Sequence, residues 1–592
     1  MYYIIGSSLL SGTELISGTQ CQHLAMLTDG LSNPVFLTGN ATETPWSRPL
    51  RPAAAPTLVA GAYSADLSGT YYIWYSYRIS KYNVPTNLSP VASITVANQQ
   101  INISNITLST HALVDKIDVY ASKVGEAIPY LLTTLDNTGT PTYTRTITDD
   151  SLIVPQGYYN GSSYDQPHGN PMLFNHISTW KKRIWASGTK YITTGIATVV
   201  NGSTSVTIAT LSLLDSMVGM YISFGTNTNY YQIASVDTGA GTLVLHTEAT
   251  EASDDYSLRI FGIRNAWLYS YVDSTGAVFP ASFPFTDLRD SHYITCQEVD
   301  GEECIATCPL GTDRMLGFTN RNIYMITGDS PSNFVASLEI TGHGTPGIRS
   351  FCKGPAGSVI FYDNISKDVY LYSGSANIQS LTQDRISAEM KNLLDTEFFV
   401  DDDSDVFITF NSNTDDVIVT RYLDSAGAKG APSRVIINIR TGYIGIESPV
   451  TTFNVSEVLN INNQNFTYIG TTDGKLLIQD SGTDDLGVAI TSTFKTNFKV
   501  LNPIYVDNSY LVRFVFKPTT ARTGTLTYYY NGDYDTVKGT ATVNFTDPRG
   551  FIDIPIFGRS HSLALSLSTS SSTETLTIKH IYVISKGTKK LV

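Results

Sequence analysis

The chain has 592 residues, more than one ordinary domain, and 42% of them are apolar, enough to bury several cores. Only 15% are charged; Ser, Thr, Asn and 45 glycines supply the polarity, and 36 tyrosines and 24 phenylalanines favour pleated strands joined by tight turns, which excludes an all-helical protein. The net charge of −14, with 38 basic residues against 52 acidic and no basic run longer than Lys181-Lys182-Arg183 or Lys589-Lys590, excludes tight nucleic-acid binding but not passage of nucleic acid along the protein.

Residues 1–55 are read as the first strands of a β-propeller. Residues 56–153 have the pattern of a small fibronectin III-like sandwich. Thr70 to Tyr77 reads as one strand with aromatics on both faces, and Val91–Val96, Gln100–Leu108 and Lys116–Ala121 follow at sandwich spacing. Residues 154–193 return to the propeller. Residues 194–262 form a second compact β segment, a small barrel or meander with short strands at Thr204–Ile208, Met220–Phe224, Tyr230–Val236 and Thr242–His246.

Residues 263–490 complete the propeller. Five stretches share an alternating strand, a polar or Gly/Asn turn and a second aromatic-bearing strand. They are Arg183–Ile192; Arg314–Phe318 with Asn322–Ile326; Ser358–Tyr362 with Asp368–Tyr372; Val417–Tyr422 with Arg434–Ile439; and Phe466–Gly470 with Gly474–Ile478. Repeated hairpins of this kind are the mark of propeller blades, because one blade alone leaves both its faces uncovered. A helix is expected at Arg385–Leu394, where Ile386, Met390, Leu393 and Leu394 share a face. Residues 491–592 are read as a C-terminal β-sandwich of five strands ending in a flexible basic tail, Gly587–Val592.

The search for chemistry assigns no catalytic, cofactor-binding or metal-binding residue, and no cofactor. G-x-S-x-G, P-loop and H-E-x-x-H motifs are absent from the sequence. His343, in Gly342-His343-Gly344-Thr345-Pro346-Gly347, has neither nucleophile nor orienting carboxylate beside it in sequence and is read as a turn residue. Asp401-Asp402-Asp403-Ser404-Asp405 resembles half of a Ca²⁺ loop, but Val406 stands where glycine is required, so a solvated loop is expected. Thr472-Asp473-Gly474-Lys475 is a single fragment of the boxes that sialidase-type propellers repeat. Cys296, Cys304 and Cys308 lack a second matching pair for zinc and are read as buried thiols. The chain is therefore expected not to be an enzyme. No secretory leader and no membrane-spanning segment are expected either, since no basic residue precedes Arg48 and no apolar run approaches about 20 residues.

From Asp313 to Thr382 the order of segments resembles a known family. Asp313–Gly328 is followed by Gly347–Ser350, Gly357–Tyr362, Val369–Gly374, Gln379–Thr382 and the stretch at Ile386-Ser387. In that order they are similar to the β-propeller tail nozzle, or tail-hub, proteins of short-tailed bacteriophages. The resemblance implies a structural virion protein. It would form a homo-oligomeric ring, a hexamer, that extends the channel below the head-to-tail adaptor, gates exit of the genomic DNA without gripping it, and anchors tail fibres or spikes. It also implies assembly in the host cytoplasm. The acidic composition agrees, since a lumen that repels phosphates keeps DNA moving. The alternative is a receptor- or glycan-binding tail adhesin using Tyr158-Tyr159 or Tyr528-Tyr529-Tyr530 to stack on sugars. Against it, such tyrosines also serve as strand and interface residues.

Overall fold

The computed structural model describes residues 17–22, 24–37, 45–152, 172–189, 191–226, 229–272, 277–279, 281–283, 292–296, 302–374, 377–382, 406–425, 428–447, 453–461, 464–471, 476–478, 484–485, 488–495, 499–500, 505–533, 535–560, 562–571 and 576–590. Every structural statement below concerns these residues. The helix expected at 385–394 and the acidic run at 401–405 lie outside them. The chain is all-β, a propeller core with inserted β modules and a C-terminal β-sandwich, and it packs as two units, 1–412 with 437–443 and 413–436 with 444–592.

The first unit contains four antiparallel four-stranded sheets that serve as blades. The first runs Ser17–Cys21, Leu24–Thr28, Val35–Leu37, Trp46–Ser47. The second joins Phe174–Trp180, Arg183–Thr189, Ala266–Tyr269 and Tyr293–Thr295, so it is interrupted between its second and third strands. The third is Cys304–Leu310, Arg314–Thr319, Asn322–Thr327, Val335–Thr341, and the fourth is Phe351–Lys353, Val359–Asp363, Asp368–Tyr372, Ile378–Ser380.

The third blade shows why these sequences form stacked sheets. Along Arg314–Thr319 and Asn322–Thr327 apolar residues occupy both alternating sets, so both faces must be covered. Met315, Tyr324 and Ile326 pack with Trp180, Trp185, Trp267 and Tyr269 of the second blade. Leu316, Phe318, Ile323 and Met325 pack with Val359, Phe361 and Tyr372 of the fourth. Gly317 is the small residue that this stacking demands, because a Cβ there would lie 2.6 Å from the Trp267 ring.

The first strands of successive blades lie side by side and are joined by polar groups. Ser17 Oγ accepts from Ile177 N at 3.1 Å, and the hydroxyls of Thr19 and Thr179 are 2.8 Å apart. Next along, His176 Nε2 lies 2.9 Å from the Thr307 carbonyl, and the Ser178 and Thr307 hydroxyls are 2.6 Å apart. Further on, Ser350 Oγ donates to the Val406 carbonyl at 2.7 Å, and Ile408 N donates to the Arg349 carbonyl at 2.9 Å, bringing Phe407–Asn411 alongside the fourth blade.

Two modules interrupt this core. Between 57 and 145 the strands form one sheet in the order Tyr143–Arg145, Ala92–Ser104, Thr57–Ile79, Lys116–Ala121, Tyr130–Asp136, with Val84–Pro85 beside Thr57–Ile79. Its aromatic strand alternates as its sequence does: Tyr71, Tyr75 and Tyr77 are buried, while Tyr72 and Trp74 are half-buried. The second module is a closed barrel of Ile196–Val199, Ser205–Ala209, Thr242–Leu245, Tyr231–Asp237, Tyr221–Phe224 and Asp254–Phe261.

In the second unit, Phe453–Ile461, Gln464–Thr471 and Leu476–Ile478 form a three-stranded sheet. The C-terminal sandwich opposes Phe551–Ser560, Tyr505–Phe516 and Ile578–Lys590 to a sheet containing Val488–Lys495, Ser562–Ser571, Thr523–Tyr530 and Gly539–Asn544. Val512, Phe514, Leu526, Val543, Phe545 and Leu567 fill the space between. Two expectations are corrected here. Gly539–Asn544 is an additional strand, and the basic end is paired backbone through Lys590, which lies opposite Tyr505.

Burial pushes the His176 imidazole down to about 4, from 6.5. The folded protein holds the neutral ring, so protons bind the unfolded chain preferentially below pH 6.5, and stability falls until about pH 4. All five tryptophans lie in the first unit, so their fluorescence reports its unfolding. We expect His176→Gln to remove about 3 kcal/mol of the stability lost between pH 7 and pH 4. An unchanged pH dependence would contradict this role.

Candidate functional site

The residues nearest to a functional constellation gather where the third blade passes to the fourth. The turn after Thr341 leads through Gly342, His343 and Gly344, and each residue is pinned. Gly342 N donates to Asn322 Oδ1 at 3.1 Å, Gly344 N to Asp363 Oδ1 at 3.0 Å, and Thr345 N to the Thr319 carbonyl at 3.0 Å. A Cβ on Gly344 would meet the carbonyl carbon of Asn320 at 2.3 Å and the nitrogen of Arg321 at 2.5 Å, so this position requires glycine for close backbone approach.

His343 is therefore more than a turn residue, which corrects the sequence reading. Its Nδ1 lies 2.8 Å from Oδ2 of the fully buried Asp363, and its ring meets Tyr370 edge-on at 4.9 Å. With Nδ1–H given to the carboxylate, Nε2 carries the lone pair on a ring 26% exposed. Asp363 also accepts from Ile365 N, Ser366 N and the Ser366 hydroxyl, so its own position is fixed. This is the orienting half of a general-base arrangement. A second buried carboxylate stands nearby in the network. Glu302 accepts from Thr319 Oγ1 at 2.6 Å, Asn322 Nδ2 at 3.0 Å and Tyr324 OH at 2.9 Å. Burial and Glu302 together push the Tyr324 phenol upward, which keeps it a hydrogen donor. An open cleft of about 470 Å³ is lined here by Asn320, Arg321, Asn322, Gly342, Asn364 and Ile365.

Neither carboxylate was found by sequence reasoning. Asp363 is 20 residues from His343 and ends a strand, where Asp-Asn reads as an ordinary turn; Glu302 carries no local signal at all.

The other singled-out residues have structural explanations. In the basic run, Lys181 Nζ lies 2.5 Å from Asp329, and buried Arg183 donates to the Ser270 carbonyl at 2.7 Å with its guanidinium over Tyr269. The cysteines are free thiols, and burial pushes Cys308 up to about 12. Among the described residues no group of three or more His, Cys, Asp or Glu is placed to hold a metal ion. Tyr528, Tyr529 and Tyr530 lie on a strand, with Tyr528 and Tyr530 packed into the sandwich core. Tyr158-Tyr159 and Thr472–Lys475 lie outside the described residues. No helix among the described residues is long and apolar enough to cross a membrane.

No family model and no curated protein matches the chain. Solved structures do. The exo-β-1,3-galactanase of Phanerochaete chrysosporium, with β-1,3-galactotriose, is 9% identical, covering 54% of this chain and 94% of that one at a TM-score of 0.19. A family 43 arabinoxylan arabinofuranohydrolase of Bacillus subtilis is 10% identical, covering 55% and 94% at 0.16. The endosialidase of phage phi92 is 8% identical, covering 80% and 52% at 0.15. Likenesses this distant carry no argument for a particular substrate or reaction. They do correct one expectation: these neighbours are enzymes, so the inference from missing sequence motifs to no enzyme is withdrawn. The physical reason is that reacting groups can meet in space from distant parts of a chain, as His343 and Asp363 do here, so the absence of a contiguous motif decides nothing.

Inserting a methyl at Gly344 forces the backbone of Asn320 and Arg321 to move. We expect Gly344→Ala to cost about 2 kcal/mol or more in the tryptophan-detected transition, and His343→Ala about 1 kcal/mol. A neutral Gly344→Ala would show that the turn is loosely held.

Proposed function

We propose that this chain is a structural protein of a phage tail, a nozzle or hub component in which the propeller carries docking modules. The observation that carries the reading is the way the barrel is mounted on its blade. Chain entry and exit are clamped together by reciprocal bonds of 2.9 Å between Ile192 and Ile260, and by Gly262 N donating to Thr189 Oγ1 at 3.0 Å. Tyr191 lies between two guanidinium groups, Arg259 at 3.6 Å and Arg264 at 4.1 Å, and Arg264 is paired with Glu303 at the entry to the third blade. Cation–π contacts of this kind contribute about 0.5–2 kcal/mol each. In this reading, bonds at both chain entry and chain exit tie the module to its blade, as a docking arm requires.

The segment order from Asp313 to Thr382 supports the same role, as does a charge of −14, which disfavours retention of passing DNA. In this reading the partners are further copies of the chain in a ring, hexameric by the resemblance, together with the head-to-tail adaptor, tail fibres or spikes and the genomic DNA. The protein belongs to the virion and assembles in the host cytoplasm.

A phage carrying an amber codon in this gene, grown without suppressor, tests the role. A nozzle predicts particles with truncated tails that fail to retain or deliver DNA, repaired by the chain supplied in trans. Complete tails that fail only to adsorb would assign an adhesin, and complete tails that adsorb but leave surface polysaccharide intact would assign a depolymerase.

A further inference from the structure

The C-terminal sandwich has two outward faces, and they differ in a way that contact with water does not explain. On one, Thr525 and Thr527 stand between Thr542 and Thr540 on one side and Ser568 and Ser566 on the other. That is the polar surface an antiparallel sheet shows to solvent. The other outward face belongs to Phe551–Ser560, Tyr505–Phe516 and Ile578–Lys590. There the core takes Tyr510, Val512, Phe514 and Phe516, so the alternate residues Leu511, Arg513 and Val515 face outward. Pro555, Leu511 and Ile584 form one row across the three strands, with Phe557 in the next row on one side and Tyr582 in the next row on the other. Phe557 is 74% exposed, Ile584 54% and Tyr582 49%.

The central charges of this face are satisfied within it. Arg513 donates to both oxygens of Asp553, at 2.6 and 2.7 Å, and its guanidinium lies over Phe551. Both edges resist a further strand, since Pro555 has no N–H to offer and Ile578–Lys590 carries four lysines. The face, not an edge, is therefore what remains to be covered. With strands about 4.8 Å apart and like-facing residues about 6.8 Å apart, the patch measures about 300 Å². That suits the apolar centre of an interface burying about 800 Å² per partner, the remainder being a polar rim.

Charge selects the occupant. Residues 491–592 hold 12 basic residues against 6 acidic, whereas the rest of the chain holds 26 against 46. The sandwich and the body of the protein thus carry opposite net charge, and the acidic body of another copy complements a basic rim. A nucleic-acid backbone would match the charge but leave Phe557, Ile584 and Tyr582 in water.

We propose that this outward face docks on the acidic body, residues 1–490, of a second copy of the chain, so that sandwich-on-body contacts repeat head to tail around a ring. The inference rests on the tail reading for the ring and on this face for the contact.

Sedimentation velocity on the purified full chain tests it. Wild type should form species larger than one chain as its concentration rises from about 1 to about 50 µM, the range in which micromolar contacts fill. Added NaCl should weaken them, because part of the attraction is between opposite charges. Phe557→Ser and Ile584→Ser should each weaken association about tenfold or more with thermal unfolding unchanged, whereas Thr525→Ala on the polar face should not. Chains carrying Phe557→Ser should still bind wild type, because their acidic bodies are intact. A wild-type chain that stays monomeric throughout, an unaffected Phe557→Ser, or equal loss with Thr525→Ala would overturn the contact. Variant chains that do not bind wild type would overturn the head-to-tail pairing in favour of face against face. A monomer that instead sediments with phosphatidylglycerol vesicles through the same residues would overturn the second copy and assign the face to a membrane surface. Association of the purified chain is independent of its place in a particle, so failure of the tail role shows separately in the amber-codon experiment.

Discussion

The structure depends on one constraint: a blade whose strands are apolar on both faces cannot exist alone. In the third blade, residues adjacent in sequence, such as Met315 and Leu316 or Tyr324 and Met325, enter two different cores, one shared with the second blade and one with the fourth. Each buried side chain of this size contributes about 1.5–3 kcal/mol, so a separated blade would expose a large apolar area on each side. The stacking then dictates finer choices, such as Gly317 beneath Trp267. It also brings the first strands edge to edge, where His176, Ser178 and Thr307 satisfy one another.

Because the blades fix one another, inserted sequence has little freedom except at strand connections. The barrel leaves the second blade between Arg183–Thr189 and Ala266–Tyr269, and the 57–145 sheet lies between the first blade and the second. Both attachments rest on arginines that reach across modules: Arg264 to Glu303 in one, Arg48 to Pro85 and Ala281 in the other. An acidic protein that places its arginines at module joints gains rigid mounting there.

Much of the fold was legible because alternation, turn residues and aromatic content act locally. The hairpins at 314–326 and 359–372 fall where the sequence places them, and the compact segment after 194 closes into a barrel. Gly539–Asn544 was missed because its GTATVN pattern has few large apolar residues. The basic composition of Gly587–Val592 suggests a flexible tail, whereas pairing with Tyr505–Phe516 is a backbone property that charge does not prevent. Of the candidate site, only His343 drew attention. Its partner Asp363 ends a strand of the fourth blade and Glu302 precedes the first strand of the third, and a contact between distant segments leaves no mark on local sequence. For the same reason, the absence of contiguous catalytic motifs is no measure of enzymatic capacity.

The central claim, that this propeller is a tail scaffold, is tested most directly by electron microscopy of the source particles with an antibody fragment against residues 491–592. The account predicts label in a ring of constant copy number on the tail shaft. Label at fibre tips, or on no particle, would contradict it.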